Sequence, residues 1–323
     1  MFKLVAMKRL NLTLLLFGLI CLQLFSCKDF IEPSITKSEV IAEAPSDGFK
    51  TPLYKVNFWW EEVEDALKYR LQITSPGFSQ PDRLVLDTLV TGNKFSGNID
   101  PGRYQWRLRA ENGSSATAYS TPRSFEVLQS SIKGQSVELI QPANGLLTNN
   151  SRLNLSWGTL YGATQYRVQI DTNNFVSESS LVFNQSFPGT TITFTPPRDQ
   201  VYQWRVRAEN DTAQARWSAV NQFTVDRIPP QRVKTLSPAD NVSVTKPVTL
   251  QWENTSGAIR YRLYVMKADS VTSYNDTFPV TTTDNTYNFQ SGNSNERIYW
   301  KVAAIDAAGN VGMTSAARSF IIR

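Results

Sequence analysis

Histidine is absent from the 323 residues and only two cysteines occur. Without an imidazole there is no Ser-His-Asp or Cys-His nucleophile system, no imidazole proton shuttle, and no His-ligated zinc, haem or non-haem iron. Charged residues make up only 19% of the chain. They form no Lys/Arg block of the kind that binds polyanions, so no nucleic-acid partner is expected. No P-loop, glycine-rich dinucleotide fingerprint, EF-hand loop or Arg-Gly-Asp sequence occurs. Carboxylates are the remaining acid–base groups, and their densest cluster is Glu61-Glu62 with Glu64-Asp65. Such a cluster on a strand edge and turn reads as a solvated surface, because glycoside hydrolysis needs a second carboxylate across a cleft. Neither an enzyme nor a bound cofactor or metal is expected.

Long apolar runs are also missing. The longest, Leu10 to Leu24, has fifteen residues, short of the ~20 that a spanning helix needs. It follows Lys8-Arg9 and precedes Phe25-Ser26-Cys27, the order of a secretory signal peptide over residues 1–26, with Met7 as an alternative start. Leu24-Phe25-Ser26-Cys27 resembles the lipobox of bacterial lipoproteins, although Phe25 is bulkier than the residue usual there. The resemblance implies lipid attachment at Cys27, so the mature chain would carry no disulfide and no free thiol, Cys21 leaving with the signal. Two or more acyl chains, at ~0.8 kcal/mol per buried CH2, hold a protein on a bilayer without a spanning helix. Lys28-Asp29-Phe30-Ile31-Glu32 resembles the surface-export signal of lipoproteins from Bacteroidota-type bacteria. That implies an outer-membrane address facing the cell exterior, with the periplasmic face as the alternative. Loss of Lys3, Lys8 and Arg9 with the signal lowers the formal charge from +5 to +2.

The rest of the chain repeats with a period of 95 to 98 residues. Trp60, Trp157 and Trp252 are each followed nine positions later by Tyr69, Tyr166 and Tyr261. Trp106, Trp204 and Trp300 follow the first tryptophans by 46, 47 and 48 residues, and Phe125, Phe223 and Phe320 close the units. Pro45, Pro142 and Pro238 open them. Inside each unit apolar residues alternate with period two, as in Val56, Phe58 and Trp60, or Tyr202, Trp204, Val206 and Ala208, which marks half-buried strands. Several such strands separated by Gly, Pro, Asn and Ser turns imply an antiparallel sandwich.

These residues resemble the fibronectin type III family: a proline-led first strand, Trp60 on the second, Tyr69-Arg70-Leu71 on the third, and the run from Pro101 to Asn112 on the sixth. The resemblance covers roughly residues 42–323 and implies an all-β chain of three tandem Ig-like/fibronectin type III-like β-sandwiches after a lipoprotein signal peptide. A lipidated tether over 27–41 would lead into sandwiches at 42–128, 133–226 and 228–323. Tyr104 and Tyr202 match the family's tyrosine corner, whereas the third unit has Ile298 there. Seven strands per unit would send the termini out at opposite ends, so the units string into a rod. The segment from Gln129 to Gln135 reads as a bending linker, and Ile228-Pro229-Pro230 as a stiff one.

Two tryptophans fall outside the repeat. Trp59 adjoins Trp60 on a strand and therefore faces outward, where the other units have Ser156 and Gln251. It is open to two readings: cover over a neighbouring loop, or a ligand-binding shelf for a sugar ring or a protein partner. Trp217, with Tyr119 in its place in the first unit and Thr314 in the third, should intercalate between Arg205 and Arg207. Its alternative is an arginine-flanked site for an acidic glycan. Asp87-Thr88-Leu89, Asp211-Thr212-Ala213 and Asp269-Ser270-Val271 resemble the O-glycosylation triplet of Bacteroidota envelope proteins.

The function expected is a non-enzymatic lipoprotein spacer and protein-binding scaffold in an envelope assembly. The alternative is a glycan-binding accessory lipoprotein of a polysaccharide-uptake system. Expected partners are the membrane, through the lipid anchor, and an envelope protein or a glycan. Exchange of Cys27→Ala should move the protein from the membrane fraction to the soluble fraction on cell fractionation; an unchanged membrane fraction would refute lipid anchoring.

Overall fold

The computed structural model describes residues 32–323; the signal peptide, Cys27 and the export-signal residues before Glu32 lie outside the described residues. The chain divides into two compact units, one running through Pro52 and then Val56–Gln129, the other made of Leu53–Lys55 and Ser130–Arg323. The first unit holds one sandwich and the second holds two.

The first sandwich is built from β1 (Ala42–Ala44), β2 (Phe49–Thr51), β3 (Lys55–Trp60), β4 (Lys68–Pro76), β5 (Pro81–Val90), β6 (Lys94–Asn98), β7 (Gly102–Glu111) and β8 (Arg123–Val127). The second has β9 (Leu139–Gln141), β10 (Leu146–Thr148), β11 (Leu153–Trp157), β12 (Gln165–Asp171), β13 (Phe183–Phe187), β14 (Thr191–Phe194), β15 (Val201–Glu209) and β16 (Asn221–Val225). The third has β17 (Thr235–Ser237), β18 (Val242–Val244), β19 (Val248–Trp252), β20 (Ala258–Met266), β21 (Val280–Thr282), β22 (Thr286–Phe289), β23 (Arg297–Asp306) and β24 (Arg318–Ile322). Each pairs a three-stranded sheet, β1-β3-β6 in the first, with a five-stranded one, β2-β8-β7-β4-β5.

The count is eight strands per sandwich rather than seven, because the first expected strand is delivered in two pieces. β1 pairs antiparallel with β3, and β2 then crosses to pair parallel with β8 in the other sheet. A proline without an N–H breaks the ladder between the pieces. The turn then needs a left-handed residue, supplied by Gly48 (φ 75°), Gly145 (φ 83°) and Asn241 (φ 60°). The residue before it fastens the crossing. Asp47, Asn144 and Asp240 accept backbone N–H bonds from Ser124, Gln222 and Ser319 at 2.7, 2.8 and 2.7 Å.

The period-two alternation appears as burial: in β3, Val56, Phe58 and Trp60 are buried while Lys55, Asn57 and Trp59 are exposed. Trp60, Trp157 and Trp252 lie against Tyr69, Tyr166 and Tyr261 with ring centroids 5.3, 5.9 and 5.6 Å apart. Each tyrosine hydroxyl accepts the N–H of the residue six positions earlier, Val63, Leu160 or Thr255, at 2.7, 3.0 and 2.9 Å. One side chain therefore packs the core and closes the turn between two strands. The corner hydroxyls of Tyr104 and Tyr202 donate to the carbonyls of Asp100 and Arg198 at 2.8 and 2.9 Å, and their rings stack on Phe125 and Phe223. In the third sandwich Ile298 takes that place, fully buried opposite Phe320.

The connections carry more structure than their composition shows. Residues Ile132–Gly134 form a 3-10 turn capped by the Ser131 hydroxyl, and Ile132 and Gln135 are buried, so a segment expected to bend is folded into the second unit. At the Ile228 segment, Asp226 accepts the Ile228 N–H at 2.9 Å, and Asn310 donates to the Asp226 carbonyl at 2.9 Å. A side chain at Gly312 would meet the Pro230 carbonyl oxygen at 2.5 Å. Residues from Glu32 onward, within the expected tether, pack on the first sandwich. Asn112 donates to the Pro33 carbonyl at 2.8 Å, Ile35 donates to the Ser115 hydroxyl at 3.0 Å, and Ile35 and Val40 are buried.

Trp204→Ala should destabilise the second sandwich by about 3–5 kcal/mol, as a large buried aromatic replaced by a cavity does. Denaturant unfolding followed by fluorescence checks it; a loss under about 1 kcal/mol would mean that the sheets close over the gap.

Candidate binding surfaces

The outer face of the five-stranded sheet carries a stack of charges and rings. In the first sandwich, β7 directs Arg107 and Arg109 outward, and the chain from Ala116 to Ser120 returns beside it. The Ser120 N–H donates to the Leu108 carbonyl at 2.8 Å and its hydroxyl accepts the Leu108 N–H at 3.2 Å, which brings the ring of Tyr119 to 4.2 Å from Arg107 and 4.9 Å from Arg109. The second sandwich repeats this. Ser218 bonds Val206 in both directions, and Trp217 lies 4.3 Å from Arg205 and 4.7 Å from Arg207. Trp217 is thus occupied by its own arginines, the arrangement the alternating sequence predicts.

Four further residues complete the stacks and were not assigned from sequence. Phe78 and Phe175, from the loops after β4 and β12, lie 4.1 Å from Arg107 and Arg205. Glu111 and Glu209 close the other end. Glu209 binds Arg167 at 2.9 Å and Arg207 at 2.8 Å, and Glu111 binds Arg70 at 3.0 Å and Arg109 at 2.8 Å. Burial pushes both carboxyls up, but the hydrogen bonds and charges of the paired arginines outweigh it and hold both below the usual glutamate range. The glutamates lie two positions beyond Arg109 and Arg207 on the same strand face, a signal available in the sequence. Phe78 and Phe175 sit in loops, where no periodicity marks them. The third sandwich keeps the serine, Ser315 accepting the Val302 N–H at 3.1 Å, but has Thr314 and Ala303 where the ring and second arginine stood.

Trp59 lies on the other sheet. It is on β3, the middle strand, paired with Ala44 of β1, and half of its surface is exposed (50%). Beside it is a hollow of about 400 Å³ lined by Ala44, Asn57, Phe58, Trp59, Lys94, Phe95 and Ser96. The Ser96 hydroxyl donates to the Asn57 carboxamide at 2.6 Å. An aromatic face with a few polar groups at its rim suits a ring that is apolar on one side and polar at its edge.

The chain matches no family model and no curated protein. Among solved structures it is similar to chicken CNTN1 FN1-FN3 domains, at 15% identity over 88% of this chain and 97% of that one, TM-score 0.42. It is also similar to the fibronectin(III)-like modules of Clostridium thermocellum CbhA, at 15% identity over 58% and 94%, TM-score 0.39. Domains of titin match at 10% identity over 88% and 98%, TM-score 0.39. The described residues fold as three tandem β-sandwiches of the Ig-like/fibronectin type III-like kind.

The remaining sequence candidates are distributed rather than gathered. Glu61, Glu62, Glu64 and Asp65 are on the turn after β3, and among the described residues no group of acidic or thiol side chains is placed to hold a metal ion. Thr212 and Ser270 of the Asp-Ser/Thr triplets are on exposed turns, whereas Thr88 lies in β5. Asp269 accepts bonds from the Thr272 hydroxyl and from the Val271 and Thr272 N–H groups, which hold its carboxyl at about 2.

The depressed Glu209 gives a signed pH dependence. A carboxyl whose folded value lies below its unfolded one stabilises the fold above the unfolded value, and that contribution disappears as pH falls through the folded value. Glu209→Gln should therefore cost about 2 kcal/mol at neutral pH and flatten the stability loss below about pH 4.5. Denaturant midpoints measured from about pH 7 to about pH 3 check both; an unchanged profile would show that the arginine pair does not depend on this charge.

Proposed function

We propose that the chain is a non-enzymatic outer-membrane lipoprotein, anchored through Cys27 and facing the cell exterior, that serves as a spacer and protein-binding scaffold in an envelope assembly. The observation that carries this reading is that all three sandwiches bury the same pair of tryptophans between their sheets, while their outer faces differ. Support for protein contact comes from β5. It is an edge strand of ten residues, against five in β13 and three in β21, with Leu84 and Leu89 exposed. A long unpaired edge accepts an extended segment of another protein through main-chain bonds. Four residues lie between Cys27 and the packed Glu32, so the span is at most about 18 Å of chain and the anchor holds the first sandwich near the bilayer.

A second reading, a glycan-binding lipoprotein, is favoured by the Trp59 hollow, since neither of the other sandwiches has an aromatic at that position. The experiment that separates the two is brief cross-linking in the producing cells, mild-detergent extraction and mass spectrometry of the purified complex. The scaffold reading expects a stoichiometric envelope protein with the wild type; recovery of the chain alone would overturn it. The glycan reading expects Trp59→Ala to abolish retention on polysaccharide affinity gels with the unfolding midpoint unchanged.

A further inference from the structure

The outer face around Trp59 has a part common to all three sandwiches and a part confined to the first. Common to all is a cross-strand polar pair: Asn57 with Ser96 at 2.6 Å, Asn154 with Thr193 at 2.9 Å, and Thr249 with Asn288 at 3.0 Å. Its recurrence marks it as part of the sheet's own construction. Confined to the first are Trp59 and Lys94. The two are opposite one another, as the bonds of the next residue show. The N–H groups of Trp60, Trp157 and Trp252 donate to the carbonyls of Asn93, Thr190 and Asn285 at 3.2, 3.0 and 3.1 Å. Position 94 therefore corresponds to Thr191 and Thr286, which pair with Ser156 and Gln251 at the place of Trp59. Directly opposed side chains have Cβ atoms about 4.5–5.5 Å apart. Two departures from the repeat thus fall side by side, in one hollow.

The chemistry of that hollow is one-sided. On one flank of Trp59 stands Ala44, too small to cover the indole, and on the other the exposed Lys94. Among the described residues Lys94 makes no ion pair and does not stack on Trp59 or any other ring, although Arg107, Arg109, Arg205, Arg207 and Lys301 all stack on rings elsewhere. No carboxylate lines the hollow. Glu43 and Glu61, next in sequence to Ala44 and Trp60, are exposed but not part of the lining. We propose, resting on the reading of Trp59 as a sugar-stacking shelf, that the hollow takes an acid sugar within a polysaccharide, the pyranose ring lying on the Trp59 indole and its carboxylate meeting the Lys94 ammonium. The indole supplies an apolar face for the ring's C–H groups, and the ammonium supplies a charge-assisted bond that a neutral sugar cannot return.

The test uses the detergent-solubilised full chain in affinity gels containing polygalacturonate or alginate, each run beside its methyl-esterified form, which keeps the backbone and removes the charge. Wild type should be retarded by at least one of the acids and not by its ester. Lys94→Gln should weaken retardation by about tenfold or more, and Trp59→Ala should abolish it, both variants unfolding at the wild-type midpoint. Equal retardation by acid and ester, lost in Trp59→Ala, overturns the acid assignment while leaving the sugar shelf standing. Mobility unchanged in all four polymers, or retardation indifferent to Trp59→Ala, removes both.

Discussion

Everything in each sandwich depends on two indoles lying between its sheets. The first, from β3, β11 or β19, meets the tyrosine of the next strand. The second comes from the long strand β7, β15 or β23 and is fully buried. This arrangement carries a cost: among the described residues all six indole N–H groups are buried with no hydrogen-bond partner. An unsatisfied donor disfavours burial by about 1–3 kcal/mol, and the aromatic area removed from water offsets it. Recurrence at all six positions shows that the sheets are spaced for ring volume rather than for polar contact. Because the rings hold the sheets apart at a set distance, the strands between them need only alternate.

That alternation explains how much could be read from the chain beforehand. A strand of five to ten residues repeats its in-and-out pattern often enough to be seen, and three copies of it multiply the signal. The cores and the outward side of Trp59 follow from it, the place of Trp217 between two arginines follows from comparing the three copies, and the corner tyrosines are what the family resemblance implied. Elements too short or too irregular to repeat were not legible. β1 and β2 have three residues each, so the crossing between sheets left no periodic trace, and the shared Pro45-Ser46-Asp47-Gly48, Pro142-Ala143-Asn144-Gly145 and Pro238-Ala239-Asp240-Asn241 runs read only as unit openings. Phe78 and Phe175 reach the arginines from loops. Composition misled once: Ser, Lys and Gly between Gln129 and Gln135 indicate freedom, but Ile132 and Gln135 are buried.

The three copies have drifted on their surfaces in different directions. The first has a tryptophan and a lysine on the smaller sheet and a long edge on the larger. The second has the same arginine stack as the first, with an indole in place of a phenol. The third has replaced the corner phenol by Ile298 and the stack by Ala303 and Thr314, leaving Lys301 5.6 Å from Tyr264 as its one cation–ring contact among the described residues. In its core Tyr274 and Phe278 both pack on Phe289.

The crossing of the first strand has a mechanical consequence. In every sandwich the second piece of that strand lies parallel to the last strand, Phe49 beside Phe125, Leu146 beside Phe223, and Val242 beside Phe320. Entry and exit of each sandwich are therefore joined through neighbouring strands that run the same way. Tension applied between its two ends loads those main-chain bonds together, in shear, instead of peeling them apart one at a time. A chain pulled from both ends would thus meet the force with its sheets loaded in shear rather than peeled.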